Sequence, residues 1–293
     1  MRRRLAIGLL CLLSAPALAQ EPGTGGAASE TAALSFFSFT PAKPQLPRLS
    51  VKLPWASDMS RAQDAYRKGD FVAARENLER AAANGDVIAL WYLGHIWRLG
   101  RGVPVNDVKA LTYYARVVEA FTPEESDPQH LRVMVDSLVR VADAYRSGNK
   151  AAEIATDPAR AYAMYNTAAS YGHPAAHYAL GVMTLQGSGV KRNPETGLKW
   201  LMLAARKRYA PAEAALGELF WQGGDVQQDR VKGLMWYMLA DETATEDATI
   251  SDRLTALTRE ATPAERAAAE ARAKLWSQKH PANVIAAASL SGD

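Results

Sequence analysis

The 293-residue chain carries 34 lysines and arginines against 31 aspartates and glutamates, a formal net charge of +3. Residues 1–19 hold three of the arginines and no acidic residue, so the rest of the chain has 31 charges of each sign. A chain without net positive charge lacks the field that attracts nucleic acids or anionic lipids, and we predict no nucleic-acid partner.

Residues 1–19 have the pattern of a secretory signal peptide rather than of a core helix. Arginines at positions 2–4 precede an apolar run at 5–13, and Ala-Leu-Ala at 17–19 offers the small residues that cleavage requires. We predict cleavage between Ala19 and Gln20 and export to a bacterial periplasm. Neither this run nor a later one reaches the roughly 20 apolar residues of a membrane span, so we expect no stable membrane insertion.

Residues 20–56 have the composition of a flexible segment, rich in glycine and alanine and then in proline. An apolar island, Leu-Ser-Phe-Phe-Ser-Phe at 34–39, interrupts it. We favour packing of this island on the first repeat, because apolar surface is usually covered within its own chain. The alternative is a recognition segment that docks in the groove of the repeats or on a partner.

The following residues are organised as a repeat. Leu-Gly at 180–181 and Gly187 return 36 positions later as Leu-Gly at 216–217 and Gly223, and Trp200 returns as Trp236. Weaker copies begin with Leu-Gly at 93–94 and Val-Ala at 141–142, with insertions between them. Self-similarity at a fixed period of a few tens of residues is typical of arrays whose units bury their apolar faces by stacking.

Each unit is predicted to contain two helices. The first is apolar at i, i+3, i+4 spacing and ends at a glycine suited to left-handed backbone geometry. The second opens at an Asn or Asp that can cap the free N–H groups of its first turn, near Asn106-Asp107, Thr156-Asp157-Pro158, Asn193-Pro194 and Gln228-Asp229. We therefore predict an all-α fold, an α-solenoid of helix-turn-helix repeats over residues 57–243.

Residues 244–280 are predicted to close the array with capping helices. The segments 252–260 and 262–278 are the expected helices, and Thr-Pro-Ala-Glu at 262–265 has the pattern of a capping box. A solenoid needs such a polar outer cap to remain soluble. Residues 281–293 are predicted to be a disordered tail.

The repeat strings resemble Sel1-like repeats, which are relatives of tetratricopeptide repeats. The matching strings are Ala-x-x-x-Leu-Gly at 89–94 and 176–181 and Gly-Leu-Lys-Trp-Leu-x-x-Ala-Ala at 197–205. The resemblance implies a right-handed superhelix whose first helices, the A helices, line the concave face.

The leader and repeats together also resemble the periplasmic ExoR-type regulators of exopolysaccharide production in alpha-proteobacteria. The further strings that carry this resemblance are Ala-Tyr-Arg-Lys-Gly at 65–69, Ala-Tyr-Arg-Ser-Gly at 144–148 and Gly-Leu-Met-Trp-Tyr-Met at 233–238. It implies a negative regulator that binds the periplasmic domain of a membrane sensor kinase, represses it and thereby controls exopolysaccharide and envelope genes.

Two other functions remain open at this point. The chain could be an adaptor that scaffolds an envelope polysaccharide or peptidoglycan assembly complex, or an enzyme or glycan-binding module that uses its aromatic side chains. Assembly into a homo-oligomer is also open.

Partner contacts are expected where corresponding positions of the repeats differ, because stacking does not fix those positions. Aromatic and arginine side chains dominate binding hot spots. The expected partner-binding residues of the concave face are Trp91, His95, Arg98, Tyr178 and Trp221. The alternative, equally open, is that these side chains fill gaps between unequal repeats.

The sequence presents no catalytic residues, no cofactor-binding residues and no metal ligands that form a recognisable set. His173 and His177 have the spacing of a ligand pair on one helix, but no third ligand is indicated. Gly-Ser-Gly at 187–189 lacks the Gly-Lys-Ser/Thr ending of a phosphate-binding loop. The single cysteine, Cys11, lies in the leader, so the exported chain would have no thiol. We predict a binding protein that is not an enzyme.

Overall fold

A computed structural model describes residues 54–122, 127–244 and 247–282. The predicted signal peptide, residues 20–53 with the island at 34–39, and the tail from 283 lie outside the described residues. The described part contains twelve α-helices and no strand. The helices are α1 Pro54–Arg67, α2 Phe71–Ala83, α3 Val87–Leu99, α4 Asp107–Glu119, α5 Pro128–Ser147, α6 Pro158–Ser170, α7 Pro174–Gln186, α8 Pro194–Ala205, α9 Ala210–Gln222, α10 Arg230–Thr243, α11 Ala248–Glu260 and α12 Pro263–Lys279.

Consecutive helices pack as pairs, and each pair stacks on the next. The closest packing joins α1 with α2, α3 with α4, α5 with α6, α7 with α8, and α9 with α10. The odd-numbered helices of these pairs are the A helices and the even-numbered ones the B helices, and α3 also contacts α5, the next A helix. The α11 and α12 helices both close on α10. The predicted α-solenoid of helix-turn-helix repeats is confirmed.

The predicted caps define the helix starts. The side chains of Asn106, Asp157, Asn193 and Asp229 each accept a hydrogen bond from a backbone N–H of the first helical turn. Such a cap contributes about 1 kcal/mol relative to alanine. Thr262 and its Glu partner form the expected capping box at the start of α12.

The structure differs from the expected boundaries at two helix starts. The α11 helix begins at Ala248 rather than 252, because Asp247 accepts a hydrogen bond from the Thr249 N–H and caps it there. The α1 helix begins at Pro54, inside the segment predicted to be flexible.

The α5 helix departs most from the repeat. It has 20 residues, whereas α3 has 13, and it starts at Pro128 behind the capping side chain of Asp127. The connection to α6 is also long and contains a bridge between Asn149 and Ile154. These two additions are the insertions expected from the irregular spacing.

The glycines of the Leu-Gly pairs are required by the packing within a pair of helices. A Cβ placed on Gly217 would lie 2.5 Å from Cδ2 of Tyr237, and one on Gly94 would lie 2.6 Å from Cε1 of Tyr114. Each glycine therefore makes room for a ring of the following B helix. In the pair α5–α6 the corresponding residue is Ala142, so the constraint is strict only in some repeats.

Arg208 joins the last repeat to the closing helices. This buried residue, in the turn before α9, has a φ of 57°. Its guanidinium donates to Glu213 Oε1 and Glu242 Oε2, both at 2.8 Å, and to the carbonyl oxygen of Leu239 at 3.2 Å. It also lies 3.3 Å from the carbonyl oxygen of His280 at the end of α12. One cation thus satisfies acceptors from α9, α10 and the C-terminal end of α12.

We predict that Gly217→Val lowers the free energy of unfolding by about 1–3 kcal/mol, because the new side chain overlaps the ring of Tyr237. Urea titration followed by circular dichroism measures this loss. Lys199→Val, at an exposed position of α8, is the control for a β-branched residue in a helix and should change stability by no more than about 0.5 kcal/mol. Equal effects of the two substitutions would show that the Gly217 contact does not limit packing.

Candidate functional site

A cavity of about 310 Å³ opens between α5, the start of α7 and the start of α9. We call it the α5–α7 groove. Its lining residues are Asp136, Val139, Arg140, Asp143, Arg146, His173, Pro174, Ala175, Tyr178, Ala179 and Tyr209. Because its walls come from A helices and the turns that precede them, the groove lies on the helices expected to form the concave face.

Asp136 is a buried carboxylate that forms one wall of the groove, with 2% of its surface exposed. Its Oδ2 accepts a hydrogen bond from Trp91 Nε1 at 2.8 Å and lies 3.4 Å from His95 Nε2. Its Oδ1 accepts one from Arg140 Nη2 at 3.3 Å. The carboxylate therefore links α3 to α5 by side chains that are remote in sequence.

The partners of His95 fix which of its nitrogens carries the proton. An ionised Asp136 can only accept, so Nε2 is protonated and donates to it. The other nitrogen, Nδ1, then accepts from Arg98 Nη2 at 3.3 Å. A chain of hydrogen bonds thus runs from Arg98 through a neutral His95 to Asp136.

The charge states follow from burial and these contacts. Burial disfavours the ionised form of Asp136, but the hydrogen bond from His95 and the charge of Arg140 outweigh it and hold the pKa of the carboxyl well below its usual range. Burial lowers the pKa of His95 against the opposing effect of Asp136. The network therefore consists of an ionised Asp136 that is hydrogen-bonded by Arg140 and by the neutral side chains of Trp91 and His95. Asp136 and His95 are thus both engaged in structural hydrogen bonds.

Two residues of the groove stand at N-cap positions but make no capping hydrogen bond. Among helices α2 to α12, only α7 and α9 have an N-cap side chain without a capping hydrogen bond, and these N-caps are His173 and Tyr209. Both line the groove. Neither ring nitrogen of His173 has a hydrogen-bond partner, and its Nε2 lies 4.0 Å from Asp136 Oδ1. The ring of Tyr209 lies 5.7 Å from that of Tyr178.

The structure corrects the expectation that Trp91, His95 and Trp221 contact a partner directly, because all three are buried. Trp91 and His95 are held inside by Asp136, and the indole of Trp221 is covered by the Arg230 guanidinium at 4.4 Å. Arg98 and Tyr178 are half-buried, and of the five expected residues Tyr178 alone lines the groove. The five residues do not form a single site.

Sequence reasoning missed Asp136, Arg140 and Tyr209, and it considered His173 only as a metal ligand. Two signals could have found them. Asp136 is an acidic residue in a mostly apolar stretch of α5, at 133–139. His173 and Tyr209 occupy positions where the repeat elsewhere has a capping residue such as Asp86. An N-cap position whose residue does not cap its helix lowers helix stability without a local gain, and such departures often mark functional sites.

The described residues include no group of three or more His, Cys, Asp or Glu side chains arranged to hold a metal ion. The imidazole of His177 stacks on Trp200, with ring centroids 5.6 Å apart. None of the helices in the described ranges has the length and apolar character needed to cross a membrane.

We predict that Asp136→Ala lowers the free energy of unfolding by about 3–5 kcal/mol, because it leaves the buried donors of Arg140, His95 and Trp91 without their acceptor. Chemical denaturation measures the loss. Asp225→Ala removes a carboxylate from the far more exposed pair with Arg192 and should cost about 0–1 kcal/mol. A similar small loss for both variants would contradict the role assigned to Asp136.

The histidines predict a dependence of stability on pH. Burial lowers the pKa of His95, His173 and His177. Below about pH 6.5 the unfolded chain therefore binds protons that the folded chain does not, and the free energy of unfolding falls as the pH falls. We expect the decline between pH 7 and pH 5 to be shallower in His95→Gln, whose amide can still donate to Asp136, than in the parent protein.

Another group acts in the opposite direction, so the comparison must be between variant and parent. Burial raises the pKa of Glu213 to about 7 against the attraction of Arg208. The folded chain therefore binds a proton more readily than the unfolded chain at this group, and the free energy of unfolding that it contributes rises as the pH falls. This contribution is common to both proteins and cancels in their difference. Parallel pH profiles from thermal unfolding would contradict the assignment of a neutral His95.

The Sel1 repeat family model matches the chain five times, at residues 63–86, 87–116, 135–173, 174–209 and 210–240. An exopolysaccharide production negative regulator from Rhizobium leguminosarum bv. viciae is 27% identical over 143 residues. The alignment covers 48% of this chain and 53% of that protein, so the chain spans about half the length of this curated relative.

Solved structures share the fold. A Sel1 repeat protein from Oxalobacter formigenes superposes with a TM-score of 0.57 at 20% identity, over 68% of this chain and 74% of that one. The protective antigen c5321 of uropathogenic Escherichia coli, which displays an SLR fold, gives 0.50 at 21% identity, over 77% of this chain and 54% of the antigen. The residues matched by the family model make up more than half of the chain and coincide with its helix pairs. The chain therefore belongs to the Sel1 repeat family.

Proposed function

We propose that this chain is a periplasmic regulatory protein that represses a membrane sensor kinase by binding the kinase's periplasmic domain. Two findings support a regulatory binding role: the array of Sel1 repeats and the similarity to a negative regulator of exopolysaccharide production. The signal-peptide pattern of residues 1–19 supports export. The genes controlled would then be those for exopolysaccharide and the cell envelope.

The α5–α7 groove is the observation that carries this proposal. It is lined by aromatic and charged side chains from A helices, and two of them replace capping residues at the cost of local helix stability. Clusters of aromatic and arginine side chains are typical of protein-binding hot spots. Asp136, the most buried acid of the groove, already accepts hydrogen bonds from three donors. Its oxygens are therefore not available to take a proton from a substrate, and the groove suits binding better than acid–base catalysis.

The mechanism is repression by occupancy. A protein that binds the inactive conformation of a kinase more tightly than the active one shifts the population toward the inactive state. A change from 1:99 to 99:1 requires about a 10⁴-fold difference in affinity between the two conformations. Removal of the regulator by dissociation or proteolysis would then release the kinase.

We predict that cross-linking of the exported protein in its own cells captures the periplasmic domain of a sensor kinase, identified by mass spectrometry. Deletion of the gene should raise exopolysaccharide production, and deletion of the captured kinase as well should abolish that rise. Arg98→Ala and Tyr178→Ala, which change half-buried residues, should reduce capture more than Lys199→Ala on α8.

Two results would contradict the proposal. Capture of polysaccharide or peptidoglycan assembly proteins without a kinase would support the adaptor function instead. An exopolysaccharide phenotype that persists unchanged when the captured kinase is deleted would separate the protein from that kinase.

A further inference from the structure

We propose that the α5–α7 groove receives an acidic side chain, an aspartate or glutamate, from a segment of the partner protein. The inference rests on the proposed function for the existence of a protein partner, and it adds the chemistry of the contact. Three features of the groove carry it: its hydrogen-bond donors, its charges and its shape.

The groove contains buried hydrogen-bond donors that have no acceptor. Both oxygens of Asp136 are already engaged by Trp91, His95 and Arg140. In contrast, Arg140 Nε and the two ring nitrogens of His173 are buried and have no hydrogen-bond partner. A neutral His173 has one N–H donor and one acceptor nitrogen. Buried polar groups in folded proteins are nearly always paired, so the N–H groups of Arg140 Nε and His173 are two donors whose missing acceptor a ligand would supply.

The second acid of the groove does not supply the missing acceptor. Oδ1 of Asp143 accepts a hydrogen bond from the hydroxyl of Tyr165 at 2.5 Å. The same oxygen lies 3.5 Å from Nη2 of Arg146. Asp143 is thus turned toward α6 and its own helix.

The charges around the groove favour an anion. Arg140 and Arg146 line it, Arg98 is hydrogen-bonded into the Asp136 network, and the charge of Lys207 acts on the ring of His173. The two lining arginines balance the two lining carboxylates, and Arg98 and Lys207, which lie outside the lining, add positive charge to the surroundings of the groove. A carboxylate can take paired, charge-assisted hydrogen bonds from an arginine, and these are among the stronger contacts available to a protein.

The shape of the groove fits a side chain. Its volume of about 310 Å³ lies at the lower end of the range for small-ligand pockets. The rings of Tyr178 and Tyr209 form an aromatic side against which the stem of an acidic residue or its apolar neighbour can pack. The start of α7 opens into the groove without a capping side chain, and the partial positive charge there also favours a carboxylate.

Arg146 is the residue to change. Its side chain is 39% exposed, and its 3.5 Å contact with Asp143 is not essential to the Asp136 network, so a substitution should leave the fold intact. Arg146→Glu reverses a charge at the groove, whereas Lys199→Glu makes the same change at an exposed position of α8. A photo-reactive phenylalanine analogue in place of Tyr178 reports what occupies the groove in cells, and the same probe in place of Lys199 is the control.

We expect the probe at Tyr178 to cross-link a partner segment that contains an aspartate or glutamate within a few residues of the attachment point. Arg146→Glu should reduce this capture at least tenfold, and Lys199→Glu should leave it within about twofold. Replacement of the identified acidic residue of the partner by arginine should restore capture by Arg146→Glu. This charge exchange separates a direct contact from a loss of folding, which circular dichroism also monitors.

Two results would overturn the inference and leave the proposed function in place. One is capture of the kinase by the whole protein but not by the probe at Tyr178. The other is capture that Arg146→Glu does not change. Specific binding of free glucuronate at micromolar concentration, measured by calorimetry, would assign the groove to an acidic sugar and overturn the assignment to a peptide. Charge-dependent capture of an acidic segment from a protein other than a kinase would keep the inference and contradict the proposed function.

Discussion

The hydrogen bonds to the buried carboxylate of Asp136 are the interaction on which the packing of α3 against α5 depends. A charge so deep in a protein is strongly destabilising unless donors surround it, and here they come from Trp91, His95 and Arg140. Those donors lie on two A helices, so the requirement to satisfy one anion fixes how α3 and α5 stack. Asp136 and Arg140 belong both to this network and to the lining of the groove, so the network also fixes their positions in the groove.

The groove arises where the repeats stop being alike. The pairs α7–α8 and α9–α10 follow the same glycine-based packing, with Gly181 and Gly217 beneath side chains of the next helix. The α5 helix is longer, and the two A helices that follow it, α7 and α9, begin with His173 and Tyr209 in place of a capping side chain. The departures from the regular repeat thus coincide with the lining of the α5–α7 groove.

Much of the fold could be predicted from the sequence because its determinants are local. Asn106, Asp157, Asn193 and Asp229 cap the helices that they were expected to cap, and Thr262 forms its capping box. The candidate site could not be predicted in this way. The side chain that accepts the hydrogen bond of Trp91 is 45 residues away, in a repeat that an insertion separates from the preceding one. A position that varies between repeats is not fixed by stacking. Its side chain can pack in the core, as Trp91, His95 and Trp221 do, or lie on the surface and contact a partner.

We expect a protein partner to bind at the α5–α7 groove, on the A helices. Hydrogen exchange of the purified protein, measured by mass spectrometry with and without the captured periplasmic domain, tests it most directly. We expect slower exchange of backbone amides in α5, at the start of α7 and around Tyr209, with little change in α4, α6 and α8. Protection confined to those B helices, with the groove unchanged, would contradict it.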